Sequence, residues 1–238
     1  MNTKQFMEML RKEQIHLNAE QMDQFDRYYE LLFAWNQKMN LTTITEKEDV
    51  YLKHFYDSLT PAFYFSFDAE QTMIDIGAGA GFPGIPLKIC FPHLQLTLVD
   101  SLKKRTVFLQ HLIEQLGLAN VYVYHDRAES FAHQADHRQR YDLAVARAVA
   151  PLNILSELCL PFVKLTGRFL ALKGKKGAQE LNEAQKSIKI MGGTVEQAVS
   201  FQLPEAGGER QIMIIYKNRP TPSQYPRKPG LPQKKPLI

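Results

Sequence analysis

Apolar residues recur every three or four positions through the first 65 residues of the chain. Thr3 stands where it can cap a short helix running to about Glu13. Asn18, with Gln21 three residues on, has the form of a capping box and opens a longer helix. Along it Met22, Phe25, Tyr28, Leu32, Trp35 and Met39 make one apolar stripe, which assigns Trp35 to the core. Asn40-Leu41-Thr42-Thr43 interrupts the stripe, and a third helix is expected from Glu46 to His54. From residue 72 the rhythm changes: short apolar runs at 72–76, 95–99, 121–125, 141–146 and 168–172 read as strands. Amphipathic stretches at 84–90, 102–116, 127–132, 151–164 and 177–191 read as helices. Such alternation predicts a parallel sheet covered on both faces. Segments 194–203 and 209–216, joined through PEAGGE, read as an antiparallel hairpin that finishes a seven-stranded sheet.

The chain has 238 residues, 45% of them hydrophobic, enough for one substantial core. No run approaches the ~18 uninterrupted apolar residues of a membrane span. The opening MNTKQFMEMLRKEQ has no signal-like apolar region, so a cytoplasmic protein without membrane contact is expected. Cys90 and Cys159 sit among apolar neighbours and are expected as buried free thiols. No CxxC or HExxH spacing suggests a metal site. The formal charge of +4 is concentrated: residues 218–238 carry Arg219, Arg227, Lys228, Lys234 and Lys235 and no acid. Their six prolines exclude a helix or a central strand, and the arm is expected to be extended and partly polyproline-like. It reads either as a solubilising tail or as an electrostatic arm on nucleic acid, with Tyr225 available for stacking.

Chemistry enters at Asp75-Ile76-Gly77-Ala78-Gly79-Ala80-Gly81-Phe82-Pro83-Gly84, directly after the first predicted strand. Gly79 to Gly84 matches GxGxxG, and Asp100 follows at the end of the second strand, where an acid can accept from a ribose diol. By itself this fits a nicotinamide enzyme and an S-adenosylmethionine enzyme almost equally. Three features favour the second. Asp75 and Gly77 extend the match to a DxGxGxG loop, the loop follows a long helical segment, and no second domain remains for an oxidoreductase substrate. The expected fold is therefore α/β: a Rossmann-like methyltransferase sheet (seven strands, last antiparallel) with a helical N-terminal extension. The stretches are 1–65 helical, 66–217 methyltransferase domain and 218–238 basic arm. Two further positions belong to the same rim. One is Asp126-Arg127-Ala128-Glu129, which can read an adenine edge while Asp126 caps a helix. The other is Arg147, which needs an acid, carbonyls or ligand wherever it is buried.

The place after the fourth strand reads ARAVAPL and not [DN]PPY, the usual mark of exocyclic-amine methylation. Cys159, in an apolar helix, is a poor thiolate for pyrimidine C5 chemistry. Guanine N7 needs neither device, only alignment and desolvation. The set WNQKMNLTTI, HFYDSL, DIGAGAGFPGIPLKI, DSLKKR, DRAE and ARAVAPL, with the tail YPRKPGLPQKKPL, resembles the RsmG family, formerly called glucose-inhibited division protein B, over nearly the whole chain. That resemblance implies S-adenosylmethionine-dependent methylation of a guanine N7 in bacterial 16S ribosomal RNA, near the decoding region; a monomer is expected. By position it carries cofactor contacts to Gly77, Phe82, Ala128, Glu129 and Arg147, to which the ribose argument adds Asp100. His54 and Asp57, three apart, invite a dyad, but structural or RNA-positioning roles are preferred because N7 has no proton to lose. Lys103, Lys104, Arg105 and Lys173 are candidates to border the site. A nicotinamide-dependent oxidoreductase and a non-catalytic RNA-binding module remain the alternatives.

Overall fold

Both leading helices start where asparagine side chains dictate. In the computed structural model, which describes residues 1–238, α1 (Thr3–Lys12) is capped by Asn2, one residue ahead of Thr3, and α2 (Ala19–Met39) by Asn18. In each, the cap oxygen accepts the N–H of a glutamine three residues on, and that glutamine reaches back to the cap N–H. These reciprocal bonds satisfy two donors that a helix start leaves unpaired. Asn40, at φ 49°, ends α2 in the left-handed conformation. The third helix outruns its predicted end: α3 (Lys47–Val50) widens into a π-turn over Tyr51–Tyr56, then continues as α4 (Asp57–Leu59) and a 3-10 turn at Thr60–Phe63. Such widened turns recur at functional sites, and this one, with the start of α4, brings Lys53, His54 and Asp57 to Arg147.

The alternating region follows as β1 (Thr72–Ile76), α5 (Gly84–Cys90), β2 (Gln95–Asp100), α6 (Lys103–Leu116), β3 (Val121–His125), α7 (Ala128–Phe131), β4 (Tyr141–Arg147) and α8 (Leu152–Cys159). Then come β5 (Val163–Gly174), α9 (Gly177–Ile190), β6 (Gly193–Leu203), β7 (Gly208–Lys217) and α10 (Leu231–Lys234). The sheet order is β3-β2-β1-β4-β5-β7-β6, with β7 antiparallel to both neighbours. The helix expected over 151–164 stops at Cys159, because Pro161 has no N–H to continue it and Leu160–Phe162 tightens into a 3-10 turn. β5 accordingly starts five residues earlier than the apolar run at 168–172 suggests.

Alternate strand residues feed opposite faces. Met73, Leu96, Leu143 and Leu170 pack under α1, α2 and the Tyr51–Tyr56 turn, where Phe6, Phe25, Tyr28 and Phe55 are fully buried. Phe6–Phe25 and Phe25–Phe55 ring centroids lie 5.2 and 5.1 Å apart. The N-terminal helices thus share one core with the sheet, each large side chain contributing about 2–3 kcal/mol of burial. Ile74, Ala144, Phe169 and Ala171 face the other way, against Leu155, Ala184 and Ile188 of α8 and α9. Trp35 is only half-buried, leaning on Phe108 and His111 at the rim of the core. Both cysteines are free; Cys159 is buried, while Cys90, expected to be so, is only partly covered.

The C-terminal arm departs most from expectation. Instead of extending away, it folds back across α7 and α8, with Thr221, Pro226 and Pro232 buried, and forms α10 with a proline in its first turn, where the missing N–H costs nothing. Tyr225 packs on the second core rather than standing free to stack. No helix is long and apolar enough to cross a membrane.

Candidate cofactor site and substrate cleft

The glycine loop leaves β1 at the carboxyl edge of the sheet and is held from three sides. Asp100 accepts the Gly79 N–H on Oδ2 and the Leu102 N–H on Oδ1, both at 2.9 Å. The Tyr28 hydroxyl, from α2, donates to the Ala80 carbonyl at 2.5 Å. Asp75 Oδ2 accepts the Gly84 N–H at 2.8 Å and so anchors the start of α5. Glycine is required at two points for distinct reasons. Gly77 (φ 72°) lies against Val149, whose Cγ2 would be 2.7 Å from a Cβ, and Gly81 (φ 101°) lies against the Tyr28 hydroxyl, 2.6 Å from one. At Gly79 a Cβ would enter open space, its nearest neighbour the Gly77 carbonyl at 3.8 Å, so backbone is what the loop offers there. Asp75 Oδ1 is buried with no hydrogen-bond partner. Burial pushes the Asp75 carboxyl up to about 7, against the pull of the Gly84 N–H. An unpaired acceptor beneath bare glycine backbone fits the ammonium group in the zwitterionic amino-acid end of S-adenosylmethionine.

Beside the loop a recess of about 120 Å³ is lined by Ile76, Gly77, Val99, Asp126, Ala128 and Glu129. Val149 closes one side and Pro232 and Gln233 of the C-terminal segment another. Glu129 Oε1 accepts the Gly230 N–H at 2.9 Å. Asp126 does not cap α7 as expected: its Oδ1 takes the adjacent Arg127 N–H at 2.7 Å, and α7 begins without a side-chain cap.

On the other side of the loop after β4 lies a larger cleft, about 450 Å³, with Lys53, Arg147, Lys173, Lys175, Lys176 and Arg210 on its walls. Arg147 is its hub. Its Nη1 donates to Asp57 Oδ2 at 3.2 Å and to the Lys53 and His54 carbonyls at 3.2 and 3.4 Å. Its guanidinium lies over Phe82, 4.9 Å from the ring centre. Asp57 is shared, since Arg210 Nε donates to its Oδ1 at 3.0 Å. Burial lowers the Arg147 pKa, and Asp57 opposes that shift. His54 stacks on Phe82 at 4.6 Å. Burial, followed by repulsion from Arg147, drives its pKa down to about 3, so the ring is neutral. A neutral ring receiving Arg147 Nη2 on Nδ1 (3.4 Å) carries its proton on Nε2 and donates it to Thr42 Oγ1 (2.8 Å). His54 and Asp57 therefore do not pair with each other; both converge on Arg147. Immediately after it, Ala148 has φ 57°, a strained conformation for a residue with a Cβ.

Of the expected site residues, Gly77, Ala128 and Glu129 line the recess and Arg147 lines the cleft. Phe82 lies between His54, Tyr28 and Arg147. Asp100, expected on a ribose, is 2% exposed and occupied by the loop, the α6 start and Arg105 at 3.3 Å. Lys173 faces the cleft while reaching the Ala150 carbonyl at 2.7 Å and Glu180 at 2.6 Å. Lys103 stays on the surface, and Lys104 reaches back to the Met39 carbonyl at 3.0 Å. Sequence reasoning missed Tyr28, Arg210 and the Pro232–Gln233 wall. Tyr28 was visible only as a stripe residue, and nothing in the pattern around Arg210 points to a partner 153 residues away.

The strand order, with an antiparallel β7 inserted beside β5, departs from the all-parallel 3-2-1-4-5-6 order of dinucleotide enzymes. Together with the glycine loop it defines a Rossmann-like S-adenosylmethionine-dependent methyltransferase. The YcgJ protein of Bacillus subtilis shares the fold at a TM-score of 0.54 and 14% identity, over 70% of this chain and 100% of that one. M. jannaschii TYW2, solved in complex with AdoMet, does so at 0.54 and 15%, over 73% and 77%. Residues 21–213 match the model of the GidB family, described as rRNA small subunit methyltransferase G. The chain is 56% identical to the ribosomal RNA small subunit methyltransferase G of Brevibacillus brevis and 54% identical to that of Listeria monocytogenes, over 100% of both chains in each case. It belongs to the GidB family of small-subunit rRNA methyltransferases, and its cofactor is S-adenosylmethionine.

Proposed function

We propose that this chain methylates N7 of a guanine in 16S ribosomal RNA, acting as a cytoplasmic monomer on the small subunit or its precursor. The observation that carries the reading is the position of Arg147 at the end of β4, where the loop that follows divides a recess suited to an adenosine from a cleft lined by six cationic side chains. S-adenosylmethionine supplies an electrophilic methyl on a sulfonium, which N7 takes up with its in-plane lone pair without losing a proton. The residues of this chain then have to position and to exclude water, not to abstract a proton. The arrangement suits such a role, because Asp57 is occupied by two arginines and His54 is neutral with both ring nitrogens engaged. In this reading Gly77 and the backbone of Gly79 receive the amino-acid end of the cofactor. Ala128 and Glu129 meet the adenosine, and Asp100 acts by holding the loop against it. Phe82 and Arg147 border the methyl. Lys53, Lys175, Lys176 and Arg210 receive RNA phosphates.

The test is methyl transfer from labelled S-adenosylmethionine to 16S RNA, free and in small subunits, from cells lacking the enzyme, with the product mapped by mass spectrometry. A single N7-methylguanine is expected. Transfer to another atom, or none, overturns the reading.

A further inference from the structure

We infer that the C-terminal segment is part of the cofactor site: a strap that closes the adenosine recess and sets the Glu129 carboxylate. The inference rests on the placement of S-adenosylmethionine proposed above. Three anchors hold the strap. Lys217, fully buried, donates to the Leu160 and Met191 carbonyls at 2.9 and 2.7 Å and to Thr221 Oγ1. Arg138 gathers the turn that follows, donating to the carbonyls of Thr221, Pro222 and Tyr225 at 3.1, 3.0 and 2.8 Å. Arg227 closes the latch. Its backbone N–H, Nε and Nη2 all donate to Glu157, a residue of α8 that is 1% exposed, at 2.7–3.2 Å. A forked arginine on a buried carboxylate is a directional, charge-assisted contact. It ties the strap to α8, which also lends Leu158 to the recess.

Beyond the latch the chain turns at Gly230 (φ 80°) and delivers two elements to the recess. The Gly230 N–H binds one oxygen of Glu129 and thereby orients the other, and Pro232 and Gln233 form a wall of the cavity. Arg227 is a positioning residue: it touches nothing in the recess and acts through Gly230 and Pro232. By linkage, a ligand in the recess must hold the strap down as much as the strap helps hold the ligand.

The experiment titrates S-adenosylmethionine into full-length protein, Arg227→Ala and Arg227→Lys by calorimetry, with donor and RNA kinetics measured in parallel. Arg227→Ala is expected to weaken donor affinity and raise the donor KM by about tenfold, the loss of roughly one charge-assisted bond. Its RNA KM and its kcat at saturating donor should hold, and Arg227→Lys should recover part of the affinity. A folded Arg227→Ala with the donor affinity of the unmodified protein overturns the strap. Absence of donor binding by the unmodified protein removes the cofactor placement itself and the strap with it. Should Arg227→Ala not fold, trypsin cleavage after Arg227 and Lys234 of the unmodified protein decides: slowing under saturating donor supports the strap, and an unchanged rate overturns it.

Discussion

Arg147 concentrates more of the site's chemistry than any other side chain. It neutralises a 5%-exposed Asp57 and caps two carbonyls released by the π-turn. Replacing it with alanine leaves Asp57 to Arg210 alone and strands those acceptors. Arg147→Ala is expected to lower stability by about 3 kcal/mol, in the range for a broken buried pair, and to abolish methyl transfer. Arg147→Lys should restore the fold better than the activity, because it keeps the charge without the fork. Denaturant titration beside a methylation assay separates the two effects. Two titrating residues leave opposite marks on stability. The folded Asp75 carboxyl keeps its proton to about pH 7, whereas an unfolded aspartate loses it near 3.8, so this residue makes stability fall as pH rises between about 4 and 7. His54 is lowered from 6.5 to about 3; unfolding lets it bind a proton that the fold refuses, so its contribution rises with pH up to about 6.5. In the native protein the two slopes offset each other. Asp75→Asn should expose the histidine slope, a melting temperature climbing from pH 4 to 6.5, and should be the more stable form at pH 8. An unchanged profile refutes the assignment.

At the scale of elements, the glycine loop and α2 are matched parts. Tyr28 reaches the Ala80 carbonyl through a space that only Gly81 leaves open. Gly81→Ala should cost about 2–3 kcal/mol, from left-handed backbone strain and collision with the hydroxyl. Tyr28→Phe alone should cost about 1 kcal/mol, through an unpaired carbonyl. The double variant should be less destabilised than the sum, by about 1 kcal/mol, because the collision disappears with the oxygen. Strict additivity in chemical denaturation sinks this account. Tyr28 also shows why part of the site was hidden. As a stripe residue it predicted burial correctly, but its function lies in one oxygen aimed at a loop 52 residues on.

Across the whole molecule, the recess and the cleft meet at one edge of the sheet, and the basic side chains gather on the cleft. The arm holds the chain's most concentrated charge, yet Arg227 is spent on Glu157, while Lys175 and Lys176 remain exposed on the cleft. Removing either cleft lysine should flatten the log–log salt dependence of RNA binding by about 0.7 per lost phosphate contact to single-stranded RNA. Donor affinity should stay unchanged. A full salt slope in the Lys175→Ala, Lys176→Ala double variant places the RNA elsewhere.

Local pattern alone determined much here. Period-three-to-four apolar spacing placed the two N-terminal helices, and short apolar runs placed all seven strands and the closing hairpin, because both patterns state which side of an element is dry. Glycine spacing after β1 and an acid at the end of β2 marked the loop as the candidate site, since close backbone approach leaves few residue choices. Element ends were less visible: Asn2 displaced Thr3 as a cap, and Pro161 shortened α8. Tertiary structure alone decided the partners of Arg147, the occupation by the loop of Asp100, which was expected on a ribose, and the folding back of the arm. Each depends on an atom pair brought together from distant parts of the chain, Asp57 with Arg210 or Glu157 with Arg227. No short-range periodicity encodes such pairs, because a buried charge takes whichever partner packing supplies.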